Sequence, residues 1–251
     1  MWVGSFRDSA AGMIFDPPLQ PATLLRRYKR FLADVILEKT GQEVTVHCAN
    51  PGKMIGVAEP ESRIWVQPAT NPNRKLQWSW LLTELADGHL AGIDTGVPNR
   101  IVAEALQDRR IPAFADWPDI QAEVRYGERS RIDFRLSRAD GSVLWVEVKN
   151  VHLRRTGTLA EFPDSVTARG AKHLDELGTI VEGGAQAAML YVIQRTDCDH
   201  VTVAADFDPV YAAAMARAAA RGVEFYAMGT EISTEGIRLS VPYPVILPDP
   251  S

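Results

Sequence analysis

Alternation of apolar and polar residues is sharpest in two stretches near the middle of the chain. Ile132, Phe134 and Leu136 alternate with Arg131, Asp133 and Arg135, and Leu144, Val146 and Val148 alternate with Val143, Trp145, Glu147 and Lys149. A period of two is the mark of a strand with unlike faces. Ala139-Asp140-Gly141-Ser142 between them is turn chemistry, so the pair is predicted to form an antiparallel hairpin that brings Asp133 and Glu147 together. Upstream, strand-like segments at Met13-Ile14-Phe15, 24–37, 43–48, 63–67, 78–84 and 90–93 are punctuated at Thr40-Gly41, Asn50-Pro51-Gly52 and the polar run 69–75. Short, evenly punctuated strands of this kind predict a small OB-like barrel.

Past Ala86-Asp87-Gly88 the pattern changes. Ile101, Val102, Ala105 and Leu106 recur at helical spacing behind Pro98, which is favoured in a first helical turn. Residues 121–126 read as the strand before the hairpin. Residues 151–162 lack apolar periodicity and are expected to be a loop beside the hairpin's end. Pro163-Asp164-Ser165 is expected to cap a helix running to about Leu177. Residues 187–194 are almost continuously apolar, the signature of a central strand covered on both faces. Asp208 and Gly222 bracket an Ala-rich helix followed by a strand at 223–228, and this strand-helix-strand order predicts an α/β sheet; the proline-containing tail from Val241 is expected to be extended. The expectation is α/β (α+β overall), with a barrel over residues 1–86 and an α/β domain over 87–251.

Charge divides along the same line. The 251 residues carry a net charge of -5, which excludes a protein that coats nucleic acid by bulk charge. Residues 1–85 nevertheless hold 10 Lys+Arg against 8 Asp+Glu. Arg26-Arg27-Tyr28-Lys29-Arg30-Phe31 interleaves cations with aromatics, a composition suited both to a groove that tracks phosphates and to a solvated strand face. Cys48 and Cys198 stand apart, so neither a disulfide framework nor a structural zinc site is indicated. His47 beside Cys48 lacks a second ligand pair and reads as structural. No basic leader and no apolar run of membrane-spanning length is present, which makes the cytoplasm the expected compartment.

The chemistry concentrates at the hairpin. Glu147 and Lys149 lie two apart on one strand, so they share a face with Cα atoms about 6–7 Å apart. Two carboxylates at one point are stable near neutrality when a cation lies between them, and oxygen ligands favour Mg²⁺ or Mn²⁺. Asp133, thirteen residues, then Glu147-Val148-Lys149 resembles the D…ExK core of the PD-(D/E)XK nuclease superfamily. Asp133 and Glu147 are then the expected metal ligands, and Lys149 the group that stabilises charge or positions water. Glu123 is a further carboxylate near this strand. Asn50-Pro51-Gly52-Lys53 offers backbone N–H groups and the Lys53 ammonium to a phosphate, without the spacing of a nucleotide-hydrolysing loop. Arg169, Lys172 and His173, at i, i+3 and i+4 of the predicted helix, are expected to share a face, either toward a bound phosphate or toward solvent.

A longer series of blocks is more specific. Phe31-Leu32-Ala33-Asp34-Val35, His47 to Met54, Asp94 to Arg100, Ser130 to Phe134, Val146 to Val151 and Phe162 to Leu174 occur in the order in which they stand in the sugar fermentation stimulation protein A family. The chain resembles that family over nearly its whole length. The resemblance implies an N-terminal OB-like barrel, a C-terminal restriction-endonuclease-like domain, DNA binding and a role in regulating maltose use. For nuclease-like folds of this superfamily it also implies an acidic residue at the metal from the helix before the sheet, here Glu104. Two functions follow as alternatives, metal-dependent phosphodiester hydrolysis and DNA binding without turnover, with RNA as a third substrate class.

Overall fold

The structure, a computed structural model, describes residues 12–126 and 130–248. Residues 1–11, including the expected leaderless start, lie outside the described residues. Chain order begins with β1 (Met13–Ile14), β2 (Gln20–Tyr28), β3 (Leu32–Leu37), β4 (Glu43–Cys48), β5 (Arg63–Pro68), β6 (Trp78–Glu84) and β7 (Leu90–Gly92). Strands β4-β3-β2-β5-β6 are bonded in that order and β4 also pairs with β6, which closes a five-stranded barrel with β7 added on β6. Leu24, Val35, Val46, Ile64, Val66 and Trp80 fill it, the inward half of each alternating pattern. The sheet of the barrel thus runs to Gly92, past the division expected at residue 86.

Two details differ from the sequence pattern. The run 24–37 is not one strand: Lys29-Arg30-Phe31 turns the chain between β2 and β3, with Lys29 and Arg30 at φ 50° and 64°. No glycine or asparagine announces this turn. Instead Arg27, at the end of β2, donates to the Arg30 carbonyl at 2.9 Å, and to those of Asn50 and Gly52 at 2.7 and 2.9 Å. One guanidinium therefore fastens the β2–β3 turn to the Asn50–Lys53 loop. Met13–Ile14 also leaves the barrel, since β1 pairs with the far domain at Ile237 and Gly236.

The second part comprises α1 (Val97–Gln107), β8 (Asp119–Tyr126), β9 (Ser130–Ser137), β10 (Val143–Val151), β11 (Leu153–Thr156), β12 (Leu159–Phe162), α2 (Ala168–Glu182), β13 (Gln186–Ile193), β14 (His200–Val203), α3 (Pro209–Ala220), β15 (Glu224–Ile232), β16 (Gly236–Tyr243) and β17 (Val245–Ile246). A seven-stranded mixed sheet runs β1-β16-β15-β13-β10-β9-β8, with β10, β13 and β15 parallel. The continuously apolar β13 is explained by its two neighbours and two covered faces: Ala188, Leu190 and Val192 pack on the α1 side, and Ala187, Met189 and Tyr191 on the α2 and α3 side. Residues 151–162, expected as a loop, instead supply β11 and β12 to a small sheet ordered β11-β12-β14-β17. Those strands are too short for a period to register. The cap of α2 is Thr167, whose hydroxyl accepts from Gly170 N at 3.0 Å, rather than the 163–165 run. Asp208 caps α3 as expected, accepting from Tyr211 N at 2.9 Å. Cys48 and Cys198 are buried and free.

The barrel loop meets the α/β domain at Asp164. Its Oδ2 accepts from Met54 N at 2.8 Å, and a Cβ on Gly52 would stand 2.4 Å from the same oxygen. Only glycine lets the loop backbone come this close to the Asp164 carboxylate. Because Arg27 holds that loop by its carbonyls, it is expected to act on stability: Arg27→Ala should cost roughly 2 kcal/mol through lost charged hydrogen bonds. Thermal unfolding checks this, with a fall of about 4–8 °C for a chain of this size. Lys29→Ala should leave the melting temperature in place, and equal effects of the two would remove the clasp.

Candidate active site

The β9–β10 ladder runs from Ser137 and Val143 to Phe134 and Val146 and stops there. At the next position Asp133 turns its carboxylate into the gap. Oδ2 accepts from Val148 N at 2.7 Å and Oδ1 from Asn99 Nδ2 of α1 at 2.7 Å. Opposite it, Glu147 is 4% exposed. Both of its hydrogen bonds go to Oε1, from Lys149 Nζ at 2.6 Å and from His173 Nδ1 of α2. The state of His173 follows from its other nitrogen, which faces the donating Arg169 Nε at 3.2 Å. Nε2 accepts, so Nδ1 carries the proton and donates to Glu147.

Electrostatics separate the two acids. Burial raises the Asp133 carboxyl and the charge of Glu147 raises it further, against the Val148 N–H, Asn99 and Lys149. Burial also opposes ionisation of Glu147, but His173 and Lys149 outweigh it and hold that carboxyl below its usual range. The site is thus an ionised glutamate facing an aspartate that its own neighbour disfavours.

These groups line a cleft of about 520 Å³ between the two parts of the chain. Arg30, Asn50, Pro51 and Gly52 form the barrel wall; Ser165, Val166, Thr167 and Arg169 form the other. Asp133, Glu147 and Lys149 are brought together. Glu104 is not: it pairs with Arg110 at 3.1 Å, and burial raises its carboxyl against the pull of that arginine. Asn99 reaches the site from the same helix, and five residues further on a side chain points about 140° away. Glu123 is exposed and outside the cleft lining.

The cations also divide. Arg26 pairs with Asp34 at 2.9 Å and stacks over Tyr28. Arg27 is spent on backbone carbonyls. Lys53 lies over the Phe207 ring at 5.4 Å, and Lys172 pairs with Glu176 at 3.3 Å on the outer side of α2. Arg30 and Arg169 line the cleft, with exposed Lys29 beside Arg30. The expected shared face of α2 therefore reduces to Arg169 and His173, which are one turn apart, while Lys172 pairs one turn onward. Asn99, His152 and Asp164 are site residues that pattern reasoning passed over; Asn99 and Asp164 stood inside the quoted blocks, but nothing in their spacing distinguished them.

A closed five-stranded barrel followed by an α/β domain with an acid-and-lysine site at a hairpin end defines an OB-plus-nuclease-like architecture. Two family models match in that order: the SfsA N-terminal OB domain over residues 25–93 and the sugar fermentation stimulation protein RE domain over 96–236. A sugar fermentation stimulation protein homolog from Dinoroseobacter shibae is 54% identical over 233 residues, 93% of this chain and 96% of the relative. One from Agrobacterium fabrum is 50% identical over 228 residues, 91% and 95% of the two chains. The structure of Pyrococcus furiosus SfsA in complex with Ca²⁺ superimposes with a TM-score of 0.84 at 25% identity, over 94% of this chain and all of that one. The chain belongs to the sugar fermentation stimulation protein family. No helix among the described residues is long and apolar enough to cross a membrane.

Asp164 closes the cleft's outer corner. Burial would raise its carboxyl, but His152 Nε2 at 3.3 Å, Met54 N–H and the Ser165 hydroxyl bring it down to about 2 from an ordinary 3.8. A depressed carboxyl stabilises the fold above its unfolded pKa and loses that contribution as pH falls through the folded one. Asp164→Asn should therefore lower stability by roughly 2 kcal/mol at pH 7. Denaturant unfolding of both proteins as pH falls from 7 toward 2 should show the gap narrowing below pH about 4; a gap independent of pH would remove the carboxylate from the junction.

Proposed function

We propose that the protein binds DNA in this cleft, in the cytoplasm, and hydrolyses phosphodiester bonds there with a divalent cation, Mg²⁺ or Mn²⁺, held by Asp133 and Glu147. The observation that carries this reading is the meeting of Asp133, Glu147 and Lys149 at the point where β9 and β10 part. The donor set suits a hard cation, being carboxylate oxygens in a cleft where one acid raises the pKa of the other. Crystallised with Ca²⁺, the Pyrococcus furiosus relative held an ion of the same oxygen-seeking class. When bound, such an ion neutralises charge on a phosphoryl oxygen and makes hydroxide available near neutral pH.

The chain's own residues have separable tasks. Asn99 and Val148 N–H fix the Asp133 carboxylate, and His173 fixes Glu147, so neither acid must reorder when a ligand arrives. Lys149 Nζ, beside Glu147, meets negative charge developing on the phosphate. Arg169 spends Nε on His173 and offers the rest of its guanidinium to the strand backbone, opposite Arg30.

One feature favours a second reading, a DNA-binding regulator of sugar (maltose) use without turnover. Glu147 is already satisfied by Lys149 and His173, so the site holds together with no ion. Labelled DNA and RNA incubated with Mg²⁺, Mn²⁺ or EDTA separate the two. Cleavage that needs the ion and disappears in Asp133→Asn, Glu147→Gln and Lys149→Met is expected. A cation at about 100 times its Kd should also stabilise the wild type by about 2.7 kcal/mol, and the two acid variants less. Stabilisation without cleavage of any substrate would select the regulator; equal stabilisation of wild type and both acid variants would remove the metal site; cutting of RNA in preference to DNA would change the substrate.

A further inference from the structure

Beyond Val146 the edge of β10 that β9 leaves offers more than Asp133 uses. Gln194 N donates to Val151 O at 2.9 Å, so the main chain of Val151, and with it that of Lys149 and Glu147, is turned toward β13. Successive peptide groups of a strand point to opposite sides. The N–H groups of Val148 and Asn150 therefore both point to the open edge, past the last β9 partner at Phe134. Asp133 takes the first of them. Asn150 is partly exposed and lines the cleft beside Lys149.

The Asn150 side chain is oriented from behind. Gln194, fully buried just past β13, stands 3.2 Å from the Asp94 carbonyl, and a carbonyl only accepts, so the atom facing it is Nε2. The same Nε2 donates to Asn150 Oδ1 at 2.6 Å. With Oδ1 spent, Nδ2 is the atom left toward His152 and the cleft. One of its two protons is directed at His152 Nδ1, 3.3 Å away, and the other meets no acceptor among the described residues. Residue 150 thus presents a main-chain donor and a side-chain donor, and no side-chain acceptor. That one-sidedness selects the ligand. A carboxamide that reads an adenine edge uses its donor and its acceptor together, whereas a phosphate oxygen takes N–H groups alone.

Resting on the DNA-binding reading, we propose that Asn150 holds a phosphate of the bound DNA, through Nδ2 and its main-chain N–H, next to the phosphate at Asp133, Glu147 and Lys149. The contact is with the backbone and is blind to base sequence. Fluorescence anisotropy of the full chain tests this, with two unrelated DNA sequences, each as single strand and as duplex, in Ca²⁺ so that the site acids carry a cation. On the form that the wild type binds, Asn150→Ala should weaken both sequences about tenfold, the loss of one hydrogen bond to a charged group. Asn150→Asp, which turns a carboxylate toward the phosphate, should bind at least about tenfold more weakly again. A purely structural residue predicts the reverse order, because aspartate keeps the oxygen that Gln194 requires and alanine does not. Asn150→Asp binding as well as Asn150→Ala or better, at matched folded fraction, would overturn the contact, and so would unchanged affinity in both variants; either result leaves DNA binding intact. A loss confined to one sequence would make Asn150 a reader of bases and overturn the phosphate. Ca²⁺ should raise the melting temperature of Asn150→Ala as far as that of the wild type, and a smaller rise would assign the residue to the cation in place of the phosphate. Failure of the wild type to bind any of these DNAs would overturn this inference and the DNA-binding reading together.

Discussion

The Asp133 carboxylate takes the Val148 N–H where a backbone carbonyl would otherwise continue the β9–β10 ladder. A buried N–H must find a partner, and this substitution lets the strands separate without orphaning one. Their packing shows the separation: Phe134 and Leu136 lie in the cluster with α1, while Ile132, two residues earlier on the same strand, lies in the cluster with α2 and α3. Glu123, opposite Asp133 on β8, has φ 54° where the neighbouring pairs are regular. The chain therefore rolls at Asp133. Meanwhile β10 stays locked to β13 through Lys149 and beyond, so Glu147 and Lys149 keep a rigid platform as the adjacent strand turns away. The gap between a fixed strand and a rolled one is the cleft.

A second tie determines how much of that gap is enclosed. Asp164, carried on the loop before α2, reaches the barrel loop that Arg27 holds from behind. The barrel thereby becomes one wall of a site whose acids all belong to the other domain. His152 and Asn150, which follow Lys149 on and just after β10, continue the site's polar floor toward this junction.

Much of this was legible in the residues, and the limits have physical causes. β4 and β6 match the strands expected at 43–48 and 78–84, and the Asp133–Glu147 hairpin was plain from period and turn chemistry. The β2–β3 turn was hidden because its residues, Lys29 and Arg30, adopt left-handed backbone under the pull of a tertiary clasp and not by local preference. β11 and β12 were hidden because four-residue strands, joined to the rest of their sheet through the pairing of β12 with the distant β14, carry no period of their own. Within the site, charge drew attention to Glu104 and Lys172, whereas Asn99, which no pattern marked, and His173, expected only as a member of the Arg169 face, hold the acids. A positioning group is defined by the partner it meets, and that partner is 34 residues away for Asn99 and 26 for His173. Local pattern cannot express such pairs.

Cation placement bears on how a protein of net charge -5 would hold a polyanion. Of seven basic residues with the composition of a phosphate-tracking surface, Arg26, Arg27, Lys53 and Lys172 are engaged by protein groups. Lys29, Arg30 and Arg169 remain at or beside the cleft. Counterion release gives a salt slope of about -0.7 for each phosphate neutralised on a single strand, so three cations yield roughly -2, well short of proteins that bind by bulk charge. Such a surface retains little affinity for DNA that merely lies against it. On the proposed reading, the rest of the affinity comes from inside the cleft, through a cation on the site acids, and this ties the chain's acidic character to the enclosure that Arg27 and Asp164 create.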